Sequence, residues 1–169
     1  LFCFDRSSSM AQEDLAPGRT RLAVGLELCR EFVTARPADR FGFVAFARYA
    51  DLGCPPTLDH AAFATLLDGV ALVDPEGPED ATAIGAAVGM AADLLQRSDS
   101  PGKVLVVLTD GEENVATAGA RDEIAPLHAA QWCKQRGVHV HTIALGRTNS
   151  RQAPLDTRVV EELAKVPGG

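Results

Sequence analysis

Much of what would otherwise mark this chain out is missing from it. No stretch comes near the roughly 20 apolar residues that a helix needs to cross a bilayer, and no signal-peptide pattern opens the sequence. No Lys/Arg cluster interrupts a formal net charge of -7, which argues against a nucleic-acid binder with its basic patch. The four cysteines, Cys3, Cys29, Cys54 and Cys133, form no CxxC pair, so a zinc site has no support. Three of them sit inside apolar patterns and read as small core residues; free thiols lean toward a reducing compartment. There is no P-loop and no G-x-G-x-x-G fingerprint, and no serine stands in triad-like spacing with a histidine. Nucleotide binding and serine-type hydrolysis therefore have no motif to rest on.

What is present is ordinary in bulk. The chain has 169 residues, 46% hydrophobic and 23% charged, which suits one globular domain with a single sizeable core. No internal repeat, low-complexity segment or linker divides it. It begins at Leu1, already inside an apolar run, and closes on Gly168-Gly169. We read it as a piece of a longer protein whose flanks, including any membrane anchor, lie elsewhere.

Apolar runs and helical spacings alternate along the chain. Leu1 to Phe4 reads as the end of a buried parallel strand that stops at Asp5, which we expect at the surface end of that strand. A polar loop to Pro17 precedes a helix over Arg19 to Arg36, with Leu22, Leu26, Cys29 and Val33 on one stripe and Pro37 as its stop. Residues 41–47 form a second apolar strand. Tyr49 to Cys54 reads as a short edge strand that Pro55-Pro56 breaks. Asp59 caps a helix through Leu67, and residues 74–81 are a loop rich in Pro, Gly and acid. A helix over Ala83 to Leu95, a strand over residues 103–109 that stops at Asp110, and a polar loop over 111–123 follow. Ile124 to Arg136 is helical with Gly137 as its C′ residue; Val138 to Leu145 is a strand and Thr157 to Val166 a last helix. Strands alternating with helices imply an α/β, Rossmann-like doubly wound sheet, mostly parallel and covered on both faces. We expect the strand order 3-2-1-4-5, with 49–54 as its one antiparallel edge.

The chemistry gathers at strand ends. Asp5-Arg6-Ser7-Ser8-Ser9 is a D-x-S-x-S pattern, and ligands of open α/β sheets bind outside the carboxyl ends of the strands. If the strands ending at Asp5 and Asp110 are neighbours, their carboxylates converge over one crevice. Mg²⁺ wants about six oxygen ligands in octahedral array and gives up its waters reluctantly. Ser7 and Ser9 can offer two hydroxyls from one extended loop, Thr82 a third, and the carboxylates can hold the ion through its waters, leaving one position open.

In these residues the chain resembles von Willebrand factor A domains with a metal-ion-dependent adhesion site. The resemblance implies direct coordination by Ser7, Ser9 and Thr82 and water-mediated contact from Asp5 and Asp110. It is nearer still to the bacterial Bat-type, aerotolerance-related membrane proteins, BatA and BatB. The likeness lies in Glu13-Asp14 with Pro17 ahead of the Arg-Leu helix start and in Asp39-Arg40-Phe-Gly-Phe-Val-Ala-Phe. It continues in Thr82-Ala-Ile-Gly85, Leu108-Thr-Asp-Gly-Glu-Glu-Asn114, His141-Thr-Ile-Ala-Leu-Gly146 and the closing Gly168-Gly169. Any one motif is weak; the set in order spans nearly the whole chain. Arg6 stands where that family has an apolar or small residue, Ala81 where Gly is common, and Ser8 in place of Gly. The resemblance also implies one more strand and helix beyond Gly169, so the 138–145 strand is expected to be an exposed edge.

Plainer readings exist for each residue. Asp5 with Ser7 and Ser9 makes an Asx turn, Thr82 an N-cap, and Asp110-Gly111 a turn; together and in order, they favour the metal. His139 and His141 share a strand face without a third ligand and read as structural, as do the helix residues His60 and His128. Glu112 and Glu113 either tune the site or belong to a solvated loop.

Two functions compete. One is a binding module, not an enzyme, whose metal (Mg²⁺, or Mn²⁺ or Ca²⁺ in its place) takes an Asp or Glu carboxylate from a protein partner. The Bat resemblance implies a bacterial, membrane-anchored protein working with a MoxR-type AAA+ ATPase; we expect no nucleic acid and no small-molecule cofactor. The other is a Mg²⁺-dependent hydrolase or phosphatase, which needs a base or nucleophile beside the metal that the sequence does not supply.

Overall fold

The computed structural model describes residues 1–111, 113–116, 123–147 and 157–166. Five strands, β1 (Phe2–Asp5), β2 (Phe41–Phe46), β3 (Ala50–Thr57), β4 (Val104–Thr109) and β5 (His139–Ala144), alternate with five helices. The helices are α1 (Arg21–Thr34), α2 (His60–Leu67), α3 (Ile84–Gln96), α4 (Pro126–Gln135) and α5 (Thr157–Lys165). The strands form one sheet in the order β3-β2-β1-β4-β5. β1 runs parallel to both β2 and β4, β4 parallel to β5, and β3 antiparallel to β2. This is the architecture that the alternation of apolar runs and helical stripes implies. The central register places Phe4 beside Ala45 and Leu108, so the chain leaves β1, β2 and β4 at nearly one level.

Because both faces of the central strands are covered, their sequences are apolar at every position rather than at alternate ones. Odd and even residues still serve different layers. Phe2 and Phe4 of β1, Phe41 and Phe43 of β2 and Leu108 of β4 pack beneath α1 and α2 with Leu26, Phe63 and Leu67. Cys3, Val44, Phe46, Leu105 and Val107 point the other way, onto Ile84, Val88 and Ala91 of α3 and onto Ala129, Cys133 and Leu163. The aromatic layer is tied by ring contacts, with Phe4 and Phe63 each edge-on to Phe43.

The helix starts follow local chemistry. Thr20 accepts from the Ala23 amide at the head of α1, and Asp59 accepts from the Ala62 amide at the head of α2. Each supplies an oxygen to a backbone donor that has no partner inside the helix. Gly137 follows the α4 cap with φ 64°, a left-handed turn that suits a residue without Cβ.

Two elements differ from the sequence reading. β3 does not end at Cys54 but runs on through Pro55-Pro56 to Thr57. It is an edge strand, where a missing N–H need not break a ladder, and the register shifts between Phe41 and Val44 absorb the prolines. The loop after Asp5 contains a 3-10 turn, Ser8–Ala11, that buries Met10. On the opposite edge, β5 leaves His139, His141 and Ile143 exposed, as expected of an edge; the closing Gly168-Gly169 lies outside the described residues. All four cysteines are buried and unpaired, and burial pushes the thiols of Cys3 and Cys29 up to about 12. Among the described residues no helix is long and apolar enough to cross a membrane.

Candidate metal centre

Three loops meet above the carboxyl ends of β1, β2 and β4. The first begins at Asp5, whose side chain is completely enclosed. This corrects the expectation that Asp5 caps its strand at the surface: its carboxylate is turned inward onto Ser7 and onto Thr109 of the neighbouring β4. Asp5 Oδ1 accepts from the Ser7 amide at 2.9 Å and from Ser7 Oγ at 2.6 Å; Oδ2 accepts from Thr109 Oγ1 at 2.6 Å. The Asx turn is thus real, and it brings Ser7 Oγ within 3.2 Å of Ser9 Oγ. Burial pushes the Asp5 carboxyl up to about 7; the Asp110 charge adds to this, and the hydrogen bonds from Ser7 and Thr109 oppose it.

The second loop carries Thr82. It is tied to the first by Asp80, which accepts from the Ser8 amide and hydroxyl at 2.9 and 2.6 Å. It is tied to β2 by the Ala83 amide on the Ala47 carbonyl at 2.8 Å. Asn114, just beyond Asp110, joins it to the third loop: its Oδ1 accepts from the Thr82 amide at 2.8 Å and its amide donates to the Thr82 carbonyl at 3.2 Å. Thr82 is not the N-cap of α3, because that place falls to Ala83. The Thr82 side chain is therefore not spent on capping, and its hydroxyl makes no hydrogen bond among the described residues.

The third loop presents Asp110, almost wholly buried. Its Oδ2 accepts from Arg21 Nη1 at 2.9 Å, while its Oδ1 is buried without a hydrogen-bond partner. An orphaned carboxylate oxygen is costly in a dry site unless something positive faces it. Arg21 in turn donates from Nε and Nη2 to the two oxygens of Asp14, and the Asp14 carboxyl is held down at about 2, chiefly by that hydrogen bonding.

The donor set fits a hard divalent cation. The carboxylates of Asp5 and Asp110 lie close enough to act on each other, and a cation between them would relieve that repulsion. Two cis ligands of Mg²⁺ at ~2.0–2.1 Å stand about 3 Å apart, close to the Ser7–Ser9 hydroxyl separation of 3.2 Å. Ser7 gives its proton to Asp5, so its lone pairs stay available. Among the described residues no group of three His, Cys, Asp or Glu could hold a metal, so the cradle is one of hydroxyls backed by carboxylates.

Asp80 escaped the sequence reading, and Arg21 and Asn114, though part of the family-like motifs, were given no role at the site. For Arg21 a signal existed: it lies four residues before Gly25 and eight before Cys29, on the buried stripe of α1, where a charge demands a partner. Arg6, adjacent to the site in sequence, turns away from it to pair with Asp51 at 3.0 Å and Glu79 at 3.9 Å. Glu113 accepts from the backbone amides of Gly85, Val115 and Ala116, which gives it a structural role; Glu112 lies outside the described residues.

Comparison with known proteins adds the following. The family model described as von Willebrand factor type A domain matches residues 1–113. An uncharacterized protein of Borreliella burgdorferi is 30% identical over 146 residues, covering 86% of this chain and 40% of that one. The chain spans about half the length of the curated relatives it matches. The crystal structure of an aerotolerance-related membrane protein from Bacteroides fragilis superposes with a TM-score of 0.82 at 25% identity, over 99% of this chain and 87% of that one. Proximal thread matrix protein 1 of the mussel byssus, crystallised with a zinc-occupied MIDAS motif, superposes at 0.68 with 20% identity, over 98% of this chain and 38% of that one. At that identity the second likeness concerns the fold alone.

Proposed function

The chain belongs to the von Willebrand factor type A family, and from that premise we propose that it is a divalent-metal-dependent protein-binding module. Ser7, Ser9 and Thr82 hold the ion directly, and Asp5 and Asp110 hold it through water. Mg²⁺ is the resident ion, with Mn²⁺ or Ca²⁺ able to replace it. When bound, the ion supplies a positive charge with one open position, which a partner's Asp or Glu carboxylate fills. The residues of the chain do the rest. Asp5 orients Ser7, Asp80 and Asn114 lock the three loops together, and Arg21 steadies Asp110. The observation that carries this reading is the buried, unpartnered Oδ1 of Asp110, close enough to the fully enclosed Asp5 for its charge to act on that carboxyl. The mussel protein, crystallised with a zinc-occupied MIDAS motif, shows that this fold is able to carry a divalent metal.

The direct ligands are neutral, so the isolated site binds its ion weakly. A partner carboxylate brings the missing charge, and metal and partner raise each other's affinity by one factor. The likeness to an aerotolerance-related membrane protein supports the wider reading: a bacterial, membrane-anchored protein that works with a MoxR-type AAA+ ATPase.

Titration calorimetry with Mg²⁺ and Mn²⁺ tests the metal. Wild type is expected to bind and to melt at a higher temperature in their presence, and Ser9→Ala and Asp110→Asn to lose both effects while staying folded. A folded wild type that binds none of Mg²⁺, Mn²⁺ or Ca²⁺ at millimolar levels sinks the proposal. Mg²⁺-dependent turnover of p-nitrophenyl phosphate that vanishes with Ser9→Ala would favour the hydrolase instead.

A further inference from the structure

Beside the candidate ligands lies a second set of charges. Arg21 opens α1, a position where arginines are usually solvated, yet its side chain is 0% exposed. Its guanidinium is forked onto Asp14, from Nε to Oδ1 at 2.9 Å and from Nη2 to Oδ2 at 2.6 Å, and it reaches Asp110 Oδ2 from Nη1 at 2.9 Å. The chain backs it at Gly146, where a Cβ would stand 2.8 Å from Cζ and 2.9 Å from Nη2. The next amide, Arg147 N, donates to Asp14 Oδ2 at 3.0 Å. The guanidinium is thus fixed in orientation, and among the described residues it engages one carboxylate of the site and one outside it.

From this geometry we propose that Arg21 and Asp14 form a charge clasp that sets the balance between the site's affinity for its metal and the metal's affinity for an outside carboxylate. The inference rests on the metal-binding reading above. A guanidinium bonded to one oxygen of a carboxylate withdraws negative charge from it. Asp110, so engaged, is a weaker donor toward the ion than a free carboxylate, and its position is pinned. The ion stays poorly neutralised and correspondingly receptive to a carboxylate from outside. Asp14 moderates the effect, because the charge it takes from Arg21 is charge that Arg21 does not take from Asp110. Arg21 is a positioning residue and touches neither ion nor partner. The two members of the clasp predict opposite results: removing the guanidinium strengthens Asp110 as a donor, and removing Asp14 weakens it.

The test uses Mn²⁺ alone, followed by electron paramagnetic resonance, and then acetate added to the Mn²⁺-loaded protein, followed by water-proton relaxation. Arg21→Gln is expected to bind Mn²⁺ roughly tenfold more tightly and acetate correspondingly less tightly, with Arg21→Lys returning both toward wild type. Asp14→Asn, at the partly open rim, is expected to bind Mn²⁺ roughly fivefold more weakly and acetate more tightly, a shift of about one kcal/mol by the usual conversion. Glu13→Gln, an exposed neighbour with the same change of charge, is the control for a general field and is expected to do nothing comparable. A merely structural role predicts instead that every variant loses Mn²⁺ in step with its melting temperature. Folded Asp14→Asn whose Mn²⁺ and acetate affinities both match wild type, or move in the same direction, overturns the clasp. Wild type that binds no Mn²⁺ overturns both this inference and the reading it rests on. Wild type that binds Mn²⁺ with the variants unchanged overturns the clasp alone.

Discussion

Phe4 and Asp5 are neighbours on β1, and both are sealed from solvent, but burial means opposite things for them. Phe4 sits against Phe2 and Phe43, where every contact lowers the free energy and a small error in fit can be absorbed. Asp5 sits against Ser7, Thr109 and the field of Asp110, where enclosure costs free energy that three hydrogen bonds only partly offset. Leu108 and Asp110 repeat the contrast at the end of β4. One sheet thus builds a stable interior and a strained one, separated by a single residue. The strained one lasts because Asp80, Asn114 and Arg21 tie its loops to each other and to α1.

The contrast can be broken or sharpened by measurement. The largest effect is expected at the apolar end. Phe43→Ala empties a position packed against Phe4 and Phe63 and should cost about 3–5 kcal/mol, read as a fall in the denaturant midpoint. Asp5→Asn should do the reverse. It should raise the metal-free melting temperature at pH 8 by an amount equivalent to roughly 1–3 kcal/mol, because it removes a buried charge and keeps the shape, and it should abolish the stabilisation by Mg²⁺. A metal-free Asp5→Asn protein that melts below wild type would show that the carboxylate is structural and would erase the distinction.

A pH series tests the same distinction without mutation. The folded chain holds the Asp5 proton up to about pH 7, while the unfolded chain loses it near 3.8. Between those values the folded state binds more protons, so metal-free stability should fall as pH rises, by up to ~1.4 kcal/mol per pH unit. Asp14 acts in a separate window. Its lowered value, about 2, contributes stability above 3.8 that is lost only as the pH falls through 2. Chemical unfolding at pH 5, 6 and 7 in EDTA should show the slope, and saturating Mg²⁺ should flatten it. The smallest effect is expected at the exposed Arg30–Asp68 pair, where Asp68→Ala should change stability by less than about 1 kcal/mol. A larger loss there would mean that surface charge matters more than the two interiors imply.

The fold was legible because its signals are periodic. β1, β2 and β4 are unbroken apolar runs, each helix carries a stripe, and Asp5 and Asp110 punctuate the ends of two central strands. The five candidate ligands are brought over those ends by three cross-tied loops. What stayed hidden is pairing between ordinary polar residues far apart in sequence. Asp80 meets Ser8, and Asn114 meets Thr82, with no period or motif to announce either. Asp5 looked like a surface cap because a strand's last residue usually is one; only the folded chain closes Ser7 and the distant Thr109 around it. Pro55-Pro56 looked like a strand breaker because the rule against proline belongs to central strands, and whether a strand is central is a property of the assembled sheet.

The burial of the four cysteines has a practical corollary. With every native thiol enclosed and those of Cys3, Cys29 and Cys133 held at about 11 to 12 by burial, none is a competent nucleophile near neutral pH. The wild-type sequence is therefore already a blank background for maleimide chemistry. A Tyr49→Cys substitution, at a residue 61% exposed in the β2–β3 turn, would give one reactive handle next to Arg48, whose amide donates to the Glu79 carbonyl of the Thr82 loop. A fluorophore attached there could report a ligand's arrival without touching any residue that holds the three loops together.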